Sequence, residues 1–303
     1  RDPEVQRIVE LVVKRVREQL GSTVRVDSTA PCTCDAATCT GCGHSVAKRP
    51  DDARRIIDLG AVRIGSAPEV GPVRTDLAGF IDHTLLRADA TRDELRKLCE
   101  EAKAYRFASV CVNSANVRFC KSLLNGSGVM VVAVVGFPLG AMSSESKAFE
   151  AREAVRNGAE EIDMVINVGA VKSRDYGTVL DDIRKVVGAS SPRKVKVIIE
   201  AGGLTNEEKV IACALSKLGG AAFVKTSTGF GAGGATAEDV MLMRAVVGEG
   251  VEVKASGGIR TVDDVEKMIK AGATRIGASA SVAIVTGKTQ NKAAAAAPKK
   301  GGY

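Results

Sequence analysis

Tryptophan is absent from this 303-residue chain, phenylalanine and tyrosine together supply 3% of it, and only two histidines occur. Proteins that grip nucleic acid stack bases on aromatic rings above a basic groove, and the chain is short of the rings. Its net charge of +7 does not supply the groove, because residues 76–286 hold 27 basic and 26 acidic side chains and the excess lies at the two ends. No nucleic-acid partner is expected. Long apolar runs are missing too: none reaches the roughly 18 residues of a membrane span, and the opening RDPEVQRIVELV lacks the apolar segment of a signal peptide. The expectation is a soluble cytoplasmic protein with no membrane partner.

What is present is apolar mass and glycine. At 45% hydrophobic residues, the chain can bury one domain of about 200 to 250 residues with extensions, or two smaller domains. Of eight cysteines, Cys99, Cys111, Cys120 and Cys213 are scattered through apolar segments and read as small buried hydrophobes in a reducing compartment. The other four are clustered near the N-terminus.

Between residues 76 and 286 strand-like and helix-like patterns alternate. Apolar runs recur at 79–86, 108–113, 129–138, 160–167, 195–202, 222–229, 251–258 and 274–279, eight in all. Helical patterns such as TRDELRKLCEEAKAY, ESKAFEAREAVRNGA, TNEEKVIACALSKLGG, TAEDVMLMRAVVG and TVDDVEKMIKAGA separate them, several opening on a Thr or Ser cap. This alternation predicts an α/β fold, a (β/α)8 TIM barrel, with a doubly wound open sheet as the competitor. The barrel is favoured because polar residues end nearly every strand, and in a barrel those ends converge on one mouth.

Three of those polar residues suggest chemistry: Asp163 in EIDMVIN, Lys225 in FVKTSTG and Lys254 in VEVKASGG. Singly, each has a bland reading as a snorkelling lysine or a salt-bridged aspartate. Together they would meet, since strands six and seven are barrel neighbours and strand four opens on the same mouth. An ordinary lysine has a pKa near 10.4, so about one in a thousand is a free amine at neutral pH. A second ammonium and partial burial disfavour the charged form and make a Schiff-base nucleophile. Lys225 therefore reads as the nucleophile, Lys254 as its electrostatic activator and Asp163 as an acid/base that relays protons through water. The loops SGGIRT (256–261) and RIGAS (275–279), after strands seven and eight, occupy the usual phosphate pocket of barrel enzymes, which points to a phosphorylated substrate.

The segments IDHTLL, IDMVINVGA, KVIIEAGGLT, FVKTSTGF, VKASGGIRT and RIGAS closely resemble the deoxyribose-phosphate aldolase family, over roughly residues 76–286. The resemblance implies a (β/α)8 barrel and reversible cleavage of 2-deoxy-D-ribose 5-phosphate to acetaldehyde and D-glyceraldehyde 3-phosphate, with no cofactor for catalysis. It implies the same roles for Lys225, Lys254 and Asp163. It also assigns Asp82, Thr84 and Thr228 to substrate contacts, and Gly229, Gly257, Gly258, Gly277 and Ser279 to the phosphate pocket. The chain departs from the family pattern at Ala201, where Thr often follows the strand-five glutamate, and at Ala280, where a second serine often follows Ser279. His83 alternates away from Asp82 and Thr84 and reads as structural.

The ends carry separate signals. Residues 1–22 pattern as an amphipathic helix, with Val5, Ile8, Val9, Val12, Val16 and Leu20 on one stripe. It either packs on the barrel, self-associates, or, as its resemblance to encapsulation peptides implies, directs the enzyme into a bacterial microcompartment by binding shell proteins through residues 3–20. Residues 23–75 form a linker containing a short helix and the C-x-C-x4-C-x2-C cluster of Cys32, Cys34, Cys39 and Cys42. Four thiolates at that spacing suit zinc or an iron-sulfur cluster, and a redox-labile loop is the alternative. Residues 287–303, low in complexity and basic, are expected to be disordered. Expected partners are a phosphorylated sugar, aldehydes and further copies of the chain. The competing function is a catalytically weak barrel scaffold whose metal-bearing N-terminus mediates assembly or electron transfer.

Overall fold

The structure, a computed structural model, describes residues 74–287 together with residues 7, 11 and 14. In chain order the elements are α1 (Thr75–Ala78), β1 (Ile81–Leu85), α2 (Arg92–Tyr105), β2 (Ser109–Asn113), α3 (Val117–Leu124), β3 (Met130–Val135), α4 (Ser144–Arg156) and β4 (Glu161–Val165). There follow α5 (Val168–Lys172), α6 (Tyr176–Ser190), β5 (Lys194–Ile198), α7 (Asn206–Leu218), β6 (Phe223–Lys225), α8 (Ala237–Val247), β7 (Glu252–Ser256), α9 (Val262–Lys270), β8 (Arg275–Ala278) and α10 (Ser281–Thr286). The eight strands pair in sequence order, all parallel, and β8 closes on β1. The expected (β/α)8 barrel is the observed one.

Local chemistry explains the alternation. β4 is buried at all five of its residues, as a parallel strand covered on both faces must be. The helices begin where a side chain can satisfy orphan backbone N–H groups: Thr91 with Glu94, Thr205 with Glu208 and Thr261 with Asp264 form reciprocal capping boxes at α2, α7 and α9. The longer of the helices that the sequence pattern did not single out, α3 and α6, add to the shell. In α6, Val179, Leu180, Ile183 and Val186 are buried, while Gly177 and Gly188 dilute the apolar period.

The main apolar core lies between the strands and the helices and includes Cys99, Cys120 and Cys213. All four scattered cysteines are buried and free of disulfides, as expected. Inside the barrel the packing is different. A small apolar cluster of Leu86, Cys111, Val132 and Val134, with Phe137 against it, fills one side, and charged side chains fill the other.

Arg7, Leu11 and Lys14, within the helix expected at 3–20, are helical and exposed. The rest of that helix, the cysteine cluster, the short helix of the linker and the tail beyond Gly287 lie outside the described residues.

Candidate active site

Alternation along each strand sends every second side chain into the barrel, and the register decides which of them meet. Asp163 on β4 pairs with Lys196 on β5, Lys225 on β6 pairs with Lys254 on β7, and Lys254 pairs with Arg275 on β8. Asp82 on β1 pairs with Ser109 on one side and Gly277 on the other. The three residues singled out as catalytic thus converge. Lys225 Nζ and Lys254 Nζ each donate to the same oxygen, Asp163 Oδ2, at 2.8 Å. Contact with Asp163 is direct.

The sequence did not announce how much charge surrounds that contact. Lys196 Nζ donates to Asp163 Oδ1 at 2.8 Å and pairs with Glu161 Oε2 at 2.5 Å. Lys254 pairs with Asp82 Oδ2 at 2.5 Å, and Arg275 Nη1 bridges Asp82 at 2.9 Å and Glu161 at 3.1 Å. Ser109 Oγ donates to Asp82 Oδ1 at 2.6 Å. Four cationic side chains (Lys196, Lys225, Lys254, Arg275) therefore face three carboxylates (Asp82, Glu161, Asp163), and loss of one proton brings the cluster to formal neutrality.

Burial and pairing pull these groups in opposite directions. Burial drives the Asp163 carboxyl up, but Lys196, Lys225 and Lys254 together outweigh it and hold Asp163 well below the usual carboxylate range. Asp82 is likewise held down, its burial overcome by Lys254, Lys196 and Arg275. Burial pulls the Lys254 ammonium down, yet Asp163 and Asp82 win and raise it. Lys254 is thus a fixed ammonium. Lys196 is raised by the same balance, burial against Asp163. Cys111 on β2 faces this cluster, and burial pushes its thiol up, so it is a neutral wall.

The residues assigned to substrate contact lie nearby with individual surroundings. Asp82 belongs to the buried charge cluster, and Thr84, half-buried, donates its hydroxyl to the Asp82 carbonyl at 2.8 Å. Thr228 is bound by the Glu200 carboxylate through both its hydroxyl and its backbone N–H. Glu200 reaches it from a left-handed backbone conformation at φ 54°. Gly257 and Gly258 both have positive φ, at 89° and 78°, which a side chain resists. Gly257 packs on Gly234, and Gly258 and Gly229 face open space. Gly277 has a further constraint: a Cβ there would sit 3.1 Å from Lys254 Cε, so its absence leaves Lys254 room to cross the barrel. Ser279 is exposed in the turn between β8 and α10.

Sequence reasoning missed Lys196, Glu161, Arg275 and Glu200. The period of two put Lys196 in phase with the inward residues of β5, but its partners follow from register, which no single strand encodes. Among the described residues no cluster of His, Cys, Asp and Glu is arranged to hold a metal ion.

A closed parallel barrel whose interior gathers buried lysines around one aspartate is the architecture of a (β/α)8-barrel enzyme. The family model for DeoC/LacD family aldolases matches residues 77–289. Deoxyribose-phosphate aldolase of Clostridium perfringens is 55% identical over 219 residues, 72% of this chain and 98% of that one. The protein of the same name from Streptococcus gordonii is 58% identical over 210 residues, 69% of this chain and 96% of its own. Among solved structures, the tetrameric deoxyribose phosphate aldolase of Aeropyrum pernix superposes with a TM-score of 0.66 at 34% identity, covering 77% of this chain and 96% of that one. The chain belongs to the DeoC/LacD family of aldolases.

Proposed function

We propose that this enzyme catalyses reversible aldol cleavage of 2-deoxy-D-ribose 5-phosphate to acetaldehyde and D-glyceraldehyde 3-phosphate through a Schiff base on Lys225. The observation that carries the reading is the meeting of Lys225 and Lys254 on one oxygen of Asp163 inside the closed barrel.

In this reading Lys225 attacks the aldehyde carbon, C1, as the free amine. The carbonyl oxygen leaves as water, and C1 becomes an iminium joined to Nζ. The proton of the C3 hydroxyl then passes to the Asp163 network, the C2–C3 bond breaks, and its electron pair moves onto the iminium to give an enamine. D-Glyceraldehyde 3-phosphate departs. The proton taken from the hydroxyl is returned to C2, and water releases acetaldehyde from Nζ. Lys254, held charged by two carboxylates, is the fixed positive charge that shares Asp163 Oδ2 with Lys225. Gly229, Gly257, Gly258, Gly277 and Ser279 receive the phosphate through backbone N–H groups and one hydroxyl, and Asp82, Thr84 and Thr228 line the sugar path. A turnover assay with 2-deoxyribose 5-phosphate, reading both products, tests this; release of neither would refute it.

A weak scaffold is disfavoured by energetics. Desolvating a charge costs several kcal/mol, on the order of what a whole barrel can spare, and an apolar interior would serve a scaffold better. Assembly with further copies of the chain is supported by the tetramer of the Aeropyrum pernix protein. The spacing of Cys32, Cys34, Cys39 and Cys42 supports a thiolate site for zinc or iron-sulfur that stands apart from catalysis, and elemental analysis decides it. The apolar stripe of residues 3–20 supports delivery to a microcompartment shell; shell association unchanged by deleting residues 1–22 would refute it.

Backbone packing fixes the loop that follows β6. A Cβ on Gly202 would fall 1.9 Å from the Ala232 carbonyl oxygen, and one on Gly234 would fall 2.4 Å from that of Gly257. Gly202→Ala must displace the 226–236 loop and Thr228 with it. A displacement of about 1 Å lowers kcat/KM by about 10²-fold, measured by steady-state turnover; wild-type kinetics would show that the loop does not position the substrate.

A further inference from the structure

Among the buried titratable groups that the chemistry above leaves unused is His83. His83 on β1 is 4% exposed and its side chain leaves the barrel interior. There Nε2 lies 2.8 Å from Glu101 Oε2 on α2, and Nδ1 lies 3.0 Å from Ser281 Oγ, the first residue of α10. Ser281 is fully buried, and its Oγ lies 2.9 Å from the carbonyl oxygen of Ala278. Ala278 is also the residue that pairs with His83 in the β1–β8 register. The path Glu101, His83, Ser281, Ala278 thus closes on the 277–281 turn.

Proton counting fixes the direction of these bonds. A carboxylate only accepts, so Glu101 assigns the proton to Nε2. Burial holds the ring below its usual pKa against the pull of Glu101, which leaves it neutral with a lone pair at Nδ1. That lone pair and the Ala278 carbonyl then share the single proton of Ser281. The hydroxyl is held between β1 and the end of β8, and Phe107, whose ring centroid is 5.1 Å from that of His83, closes the outer side.

The turn needs such a tether. Ala280 occupies the cap position of α10 and provides no side-chain hydrogen bond, so the side-chain hold on the turn comes from Ser281, whose hydroxyl reaches back to the Ala278 carbonyl. The turn also carries Gly277 and Ser279, whose backbone N–H groups can bind an anion only if the peptide planes point the right way. Lys225, Lys254 and Asp163 lie inside the barrel, on the opposite face of the sheet from His83.

We propose that His83, oriented by Glu101, is a positioning residue that holds the 277–281 turn through Ser281 and so sets the affinity of the site for a substrate phosphate. The identity of the phosphorylated substrate rests on the aldolase reading above; the tether does not. A structural role alone would lower all activities together, whereas this one separates substrates.

The test compares Ser281→Ala and His83→Asn with the wild type on 2-deoxyribose 5-phosphate and on unphosphorylated 2-deoxyribose. For each variant, KM for the phosphorylated sugar is expected to rise about tenfold, the worth of one hydrogen bond, with kcat held within about twofold. The kcat/KM for 2-deoxyribose is expected to stay within about twofold of the wild type. Equal losses on both sugars, or no loss on either, overturn the proposal. Calorimetric titration of the same proteins with inorganic phosphate separates the two readings. An inactive wild type whose phosphate binding weakens in both variants would sink the aldolase and leave the tether standing. An active wild type with phosphate binding unchanged in the variants would sink the tether alone.

Discussion

Lys225→Ala is expected to lose turnover of 2-deoxyribose 5-phosphate by at least about 10⁴-fold while remaining folded, because it removes the only route to a covalent intermediate. The two halves of that expectation have different origins. Activity falls because alanine has no nucleophile. The fold survives because Asp163 keeps Lys196 and Lys254 as partners, each at 2.8 Å, so no buried carboxylate is left alone. Circular dichroism and steady-state kinetics on one preparation read both. Residual activity within tenfold of the wild type would mean that the amine is not the nucleophile.

Lys254→Met should fail in the opposite way, in stability as well as in rate. Its ammonium is fully buried and touches Asp82 and Asp163, both of which depend on it for their depressed pKa values. Removing it takes from Asp82 and Asp163 a buried cation that each touches and is expected to cost about 3–5 kcal/mol at neutral pH. The rate should drop by about 10²-fold or more with the loss of the fixed positive field.

The sign of the pH dependence follows from linkage. A carboxylate whose folded pKa is depressed adds stability that is present above its unfolded pKa, near 3.9, and is lost as pH falls through the folded value. In the wild type, then, Asp82 and Asp163 stabilise across neutral pH and cease to do so only in acid. In Lys254→Met their folded pKa values move up, and acid relieves the buried charge. The stability deficit of the variant should therefore shrink between about pH 7 and pH 4. Lys254 itself, raised in the fold, contributes stability below its unfolded pKa of about 10.4 and loses it as pH rises through the folded value. Urea unfolding at several pH values measures the deficit, and one that is constant from pH 7 to pH 4 would show that the carboxylates do not lean on Lys254.

The barrel was legible because eight short apolar runs alternate with helical patterns, and because Thr91, Thr205 and Thr261 announce helices with their acidic partners three residues on. α6 escaped notice: its apolar period is interrupted by glycine, and one of its buried side chains is Asp182, which pairs with the buried Lys147 of α4. In the site, a lysine on each of two neighbouring strands was a readable signal for Lys225 and Lys254. The same signal extended to Lys196 on β5, the other neighbour of β6, but there a strand lysine snorkels as readily as it pairs. Its burial between Glu161 and Asp163 is fixed by the β4–β5 register, a property of two strands. Glu200 was equally hidden, because its hold on Thr228 depends on a positive φ that glutamate rarely adopts.

Everything chemical here depends on one amine among the three lysines around Asp163 being the one that attacks. Incubation of the intact protein with acetaldehyde and borohydride, followed by peptide mass mapping, reads that amine directly. The account predicts an ethyl group on Lys225 alone, absent from Lys225→Ala. An adduct on Lys254 or Lys196, or none on the active wild-type enzyme, would contradict it.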